Sequence, residues 1–230
     1  MTFNKQIFLT TIVLISSIIF FALTDVDITL QDYFFNTQTH SWIVDTYAQP
    51  YRLIFYSGIK RLLIVIAVSF LLILIFFRNK KLIKPYRRGI IIVILSAILV
   101  PSAVGALKKY TNMPCPKNEI HYGGEYPRTA VWESYPDSFQ GSKLKCWPAG
   151  HASGGFALLS LFFLFKSKKS KKIAFTSAMA IAWSMGLYKM LVGDHFLSHT
   201  IITMLLAWLI ILLIAKTTLN YSTKRQKDTI

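Results

Sequence analysis

The chain has 230 residues, of which 53% are hydrophobic, and a formal net charge of +16 at neutral pH. The apolar residues gather into long runs rather than alternating, which argues against a soluble domain and against a transmembrane barrel. The charge needs no nucleic-acid partner, because basic loops on one side of a membrane, touching anionic headgroups, account for it.

Six runs approach the ~20 residues that a helix needs to cross a bilayer. They cover 7–23, 58–77, 89–107, 151–165, 173–192 and 199–218. The first is flanked only by Lys5, and no small-x-small cleavage site precedes the acidic stretch 25–32, so it reads as a retained helix rather than a signal peptide. The fourth is short and borrows Trp147 and the residues after it. The predicted fold is an all-α polytopic membrane protein with six transmembrane helices. No repeat or linker interrupts it, so residues 1–230 form a single domain.

Charge sets the expected orientation. Lys5, the 78–88 and 166–172 connections and the tail from Lys216 carry 16 basic residues and one acid, Asp228. The opposite segments carry 10 basic and 9 acidic residues. By the positive-inside rule the first set, with both termini, is cytoplasmic. Two long connections, 24–57 and 108–150, then face outward, joined by a tight one near 193–198.

The 108–150 loop holds Trp132, Trp147 and four tyrosines, a composition unlike disorder and suited to the headgroup level. It also holds both cysteines, Cys115 and Cys146. Outside the cytoplasm they form a disulfide, which would close a loop of about 30 residues and contribute roughly 3–4 kcal/mol. The alternative is a pair of free thiols packed near Trp147.

Three polar clusters fall at the outer ends of these runs. Lys108-Lys109 ends the third, Pro148-Ala149-Gly150-His151 opens the fourth, and Asp194-His195 with His199 lies between the fifth and sixth. Ionisable residues at membrane depth are costly and usually functional. Two histidines and a lysine at one level suit a phosphate ester: one imidazole attacks phosphorus and the other protonates the departing oxygen. Lys108 and the N-terminus of the fourth helix hold the anion, and Gly150 lets backbone approach it.

Pro148-Ala149-Gly150-His151 resembles the Pro-Ser-Gly-His motif of the type 2 phosphatidic acid phosphatase (PAP2) superfamily. Lys108 through Pro116 resembles its first motif, a lysine, six residues, then Arg-Pro. Lys189 through His199 resembles its third, Ser-Arg, five residues, histidine, three residues, aspartate. The resemblance covers residues from about 100 to 200 and leaves the first two runs without a motif. It implies a six-helix bundle in which His195 is the nucleophile forming a phosphohistidine and His151 the general acid. Lys108, Lys189 and the Ala149-Gly150 backbone would bind phosphoryl oxygens, with no metal and no cofactor.

Five positions depart from the pattern. Cys115 stands in place of arginine, removing a bidentate fork. Ala149 replaces serine, and Tyr188-Lys189 replaces Ser-Arg, keeping the charge but not the planar donor. His199 replaces the aspartate that orients the nucleophile; at i+4 it shares a helix face with His195, and a neutral imidazole there accepts the His195 N–H. Arg128, Lys109, Lys143 and Lys145 are candidate replacements for the lost phosphate donors.

The expected function is removal of phosphate from a lipid phosphate at the extracytoplasmic face of the inner (plasma) membrane, the periplasmic side where the envelope is Gram-negative. Lipid A, undecaprenyl pyrophosphate and phosphatidylglycerophosphate all present a phosphate at that level; the tyrosine-rich outer loop slightly favours the large lipid A headgroup. The alternatives are phosphotransfer to another lipid, a zinc hydrolase using His195 and His199 with His151 or Asp194, and a non-catalytic lipid-binding or transport protein.

Overall fold

The computed structural model describes residues 2–227, with side chains through Asn220. Asp228, the lone acid assigned to the basic side, lies outside the described residues. Seven α-helices carry the fold: α1 (Phe3–Leu23), α2 (Val26–Asp32), α3 (Ile59–Phe77), α4 (Arg87–Leu107), α5 (Gly150–Ala157), α6 (Lys168–Leu191) and α7 (Leu197–Lys227). A π-helical segment, Leu53–Gly58, leads into α3, and a 3-10 segment, Leu158–Phe163, extends α5. The strand content among the described residues is one two-residue pair, β1 (Phe35–Asn36) with β2 (Ser41–Trp42).

Each of the six expected runs forms helix, and the short α2 is added at the end where the 108–150 connection lies. Among the described residues four helical stretches are long and apolar enough to cross a membrane: Phe3–Leu23, Leu53–Phe77, Lys84–Leu107 and Leu197–Asn220. The other two of the expected six spans differ for separable reasons. The α5 stretch, Gly150–Phe163, is apolar but short. The 24 residues of α6 begin with a lysine-rich turn, Lys168 to Lys172, and contain Lys189.

Position in the bundle explains the short helix. Packed against α3, α4, α6 and α7, α5 is the central element, and Ala152, Phe156 and Leu159 on it are buried. Small residues admit it: a Cβ on Gly155 would lie 2.8 Å from the Ala182 Cα of α6, the close backbone approach that glycine and alanine permit between membrane helices. The outer helices show the opposite pattern. No residue of α3 is buried, and Phe8, Ile12, Ile15 and Ile19 on α1 are exposed, as lipid-facing surfaces are.

Neighbouring helices run antiparallel, so the C-terminal ends of α1, α4 and α6 meet the N-terminal ends of α3, α5 and α7. The 108–150 connection and α2 cover this end. Cys115 and Cys146 are disulfide-bonded, with Cα atoms 5.3 Å apart, and Thr111 donates to the Trp147 carbonyl. The end of α4 is thereby held beside the start of α5. The basic 78–88 and 166–172 connections lie at the other end of the bundle.

Candidate active site

The end of α6 and the start of α7 form the floor of the site. Gly193 has φ +73°, a conformation open to glycine at little cost, and turns the chain out of α6. The Asp194 and His195 N–H groups then donate to the Lys189 carbonyl, at 2.8 and 3.1 Å. Asp27 of α2 caps α7 from outside, its carboxylate accepting the Ser198 N–H at 2.9 Å. Trp42 packs over Gly193, where a Cβ would collide with the indole. The motif-free first half of the chain thus fixes the turn that carries His195.

That turn places His195 against His199, Nδ1 to Nδ1, at 3.2 Å. One ring donates and the other accepts, so the pair is joined only while at least one imidazole is neutral. Both are buried, His195 at 5% exposure and His199 at 0%. Burial, then His199 and the Lys108 and Lys189 charges, holds His195 well below its ordinary pKa. The ring is therefore neutral at pH 7, the form that can attack phosphorus.

His151 begins the second turn of the site from the start of α5. Its ring stacks on Tyr56 at 4.3 Å between centroids, and Lys189 Nζ lies 4.5 Å from the same Tyr56 ring. Lys108 caps α4 and reaches the Lys145 and Cys146 carbonyls at 3.1 and 3.3 Å. Gly150 leaves room for it: a Cβ there would lie 3.1 Å from Lys108 Cε. No side chain caps the N-terminus of α5, which presents first-turn N–H groups beside this ammonium. The Ala149 N–H is already bonded to the His199 carbonyl at 3.3 Å, so the open donors start at Gly150.

Not every expected donor gathers here. Arg128 turns away to the junction of α1 and α2, pairing with Asp25 at 2.7 Å and reaching the Thr24 carbonyl. It lines a different cavity, of about 280 Å³, with Asp27, Trp147 and Phe196. Lys109, Lys143 and Lys145 are exposed. Cys115 is held in the disulfide. Asp194 does not orient His195; its carboxylate bridges Lys189 and Lys117, each at 2.6 Å. Burial works against its ionisation, but these two lysines outweigh burial and hold it below the usual carboxylate range.

Tyr56, Lys117 and Asp27 escape a reading of the motifs. Lys117 has a faint signal, since it follows Cys115-Pro116 directly. Tyr56 and Asp27 have none, because each reaches the site only through tertiary packing. Among the described residues no three His, Cys, Asp or Glu side chains converge in a metal-binding group.

A cavity of about 530 Å³ opens between α3, α4 and α5. Lys60, Lys108 and His151 line it at the site end, and Leu63, Ala67, Val93, Ala97 and Leu158 line it further into the bundle. Charge sits at one end and hydrocarbon at the other.

The model of the PAP2 superfamily matches residues 89–222, more than half of the chain. The match spans Lys108, the 148–151 turn, Lys189, His195 and His199, and it supports phosphatase chemistry on phosphate esters. No curated protein and no solved structure matches the chain. With three motifs in family order, their residues brought to one end of an all-α bundle, and this match, the chain belongs to the PAP2 superfamily.

Proposed function

We propose that the protein is a membrane phosphatase of lipid phosphates, working at the extracytoplasmic face through a phosphohistidine on His195. The observation that carries the lipid assignment is the cavity graded from Lys108 and His151 to an apolar interior. An apolar chain fits the interior while its phosphate meets the lysines and histidines at the outer end. The basic 78–88 and 166–172 connections lie at the end of the bundle opposite the site, which supports a cytoplasmic location for them and an outward one for the site.

In this reading the His195 Nδ1–H donates to His199, leaving Nε2 to attack. The new N–P bond forms as the P–O bond to the leaving group breaks, and His151, protonated once the phosphate's negative charge lies beside it, gives its proton to that oxygen. Lys108, Lys189 and the Gly150 N–H hold the phosphoryl oxygens as charge develops on them. Water then attacks phosphorus and gives a proton to His151; the P–N bond breaks and His195 is restored. His199 is a positioning residue, fixing the His195 ring and sharing its proton.

The test is phosphate release by detergent-purified protein, with EDTA present, from lipid A, undecaprenyl pyrophosphate, phosphatidylglycerophosphate and phosphatidic acid. The expected result is EDTA-resistant release from at least one lipid, reduced about 1000-fold or more in His195→Ala. Release that survives in His195→Ala, or that requires added metal, overturns the mechanism. Transfer of phosphate to a second lipid in place of release would reassign the reaction to phosphotransfer.

A further inference from the structure

Two lysines converge on one point beside His195, although the family's arginine position holds a disulfide-bonded cysteine. Lys189 Nζ and Lys117 Nζ each lie 2.6 Å from a different oxygen of the Asp194 carboxylate. Lys189 is nearly buried, at 7% exposure, while Lys117 comes from the outer loop and is exposed. Backbone fixes both: the Lys117 N–H donates to the Gly193 carbonyl at 2.9 Å, and the Lys189 carbonyl accepts from Asp194 and His195. Lys117 is therefore tied to the turn that carries His195 rather than dangling from the loop.

We propose that Lys117 supplies a third cation to the phosphate site, beside Lys108 and Lys189, taking the place of the arginine absent at position 115. Asp194 holds the two ammonium groups together until phosphoryl oxygens replace its own. This rests on the phosphatase reading above. Two ammonium groups facing one small space repel each other unless an anion lies between them. A carboxylate and a phosphoryl group offer the same acceptor chemistry to them. The carboxylate that fills this place belongs to the residue next to His195, so an anion exchanged for it arrives beside the nucleophile.

The experiment measures orthovanadate binding by calorimetry to the full-length protein in detergent, with the KM and kcat of the fastest lipid from the panel. Lys117→Gln is expected to weaken orthovanadate about 10-fold or more, the effect of losing one hydrogen bond between charged groups. KM should rise by a similar factor with kcat within about 3-fold, and Lys117→Arg should restore both. Lys117→Met, which keeps the aliphatic stem, gives the same comparison if the glutamine variant does not fold. Unchanged orthovanadate affinity in these variants, while His195→Ala abolishes turnover, overturns the clamp and leaves the phosphatase reading standing. Turnover that survives His195→Ala removes the phosphatase reading, and orthovanadate binding then decides the clamp alone.

Discussion

The His195–His199 contact carries more of the account than any other pair of side chains. Where the family pattern has a carboxylate, this chain has a neutral ring 3.2 Å away, which can accept a proton but brings no negative charge to an imidazolium. His199→Ala is expected to lower kcat about 100-fold, within the range for loss of a group that assists proton transfer. His199→Asp should keep activity within about 10-fold of wild type. It should also move the acid limb of the kcat/KM profile to higher pH. Burial and neighbouring positive charge hold His195 below its ordinary value, and an adjacent carboxylate favours the protonated ring and raises it again. An acid limb that does not move, with His199→Ala fully active, would remove His199 from the mechanism. The i, i+4 spacing made this pairing legible in the sequence. The Lys117–Asp194–Lys189 arrangement was not, because a motif fixes spacing along the chain and says nothing of which side chains an outer loop folds back to meet.

At the scale of elements, the 108–150 connection and α2 frame the site end of the bundle through buried polar groups. Gln31 of α2 donates to the Met190 carbonyl at 2.7 Å, and Asp27 caps α7 across 171 residues of sequence. Contacts at that separation leave no local pattern, so no motif marks the first half of the chain although Asp27 and Trp42 hold the turn before α7. The disulfide was legible from the placement of both cysteines in one long connection, at the ends of two successive helical runs. Glu119 was not; it is 1% exposed, with neither carboxylate oxygen hydrogen-bonded, and burial pushes its pKa up to about 8. The folded state keeps this proton up to about pH 8, while the unfolded chain loses it near the ordinary value of 4.5. The stability it contributes is complete below pH 4.5 and is lost as pH rises toward 8. Glu119→Gln should therefore stabilise the protein in detergent by on the order of 1–3 kcal/mol at pH 8 and by less at pH 5, read as the rise in thermal midpoint at each pH. A gain that is equal at both pH values would show that Glu119 does not titrate in this window.

For the whole molecule, hydropathy and loop charge made the helical membrane class legible, and the ~3.6-residue geometry needs only such runs to form helices. Span number was less so. Hydropathy does not distinguish a helix crossing lipid from one enclosed by its neighbours, and α5 is the enclosed kind, short and packed among α3, α4, α6 and α7. That enclosure also serves the chemistry proposed for this chain. It plants the His151 turn at the centre of the bundle and leaves the loosely packed α3 to border an apolar cavity. The central claim is that phosphate passes through a covalent bond to His195. Rapid acid-free quenching of the enzyme during turnover, followed by peptide mass spectrometry at alkaline pH, tests it most directly. A phosphate is expected on the peptide containing His195, absent in His195→Ala and accumulated in His151→Ala with a substrate whose leaving group departs without a proton, because hydrolysis then lacks its base. Phosphate on another residue, or turnover with no phosphopeptide in either protein, would contradict it.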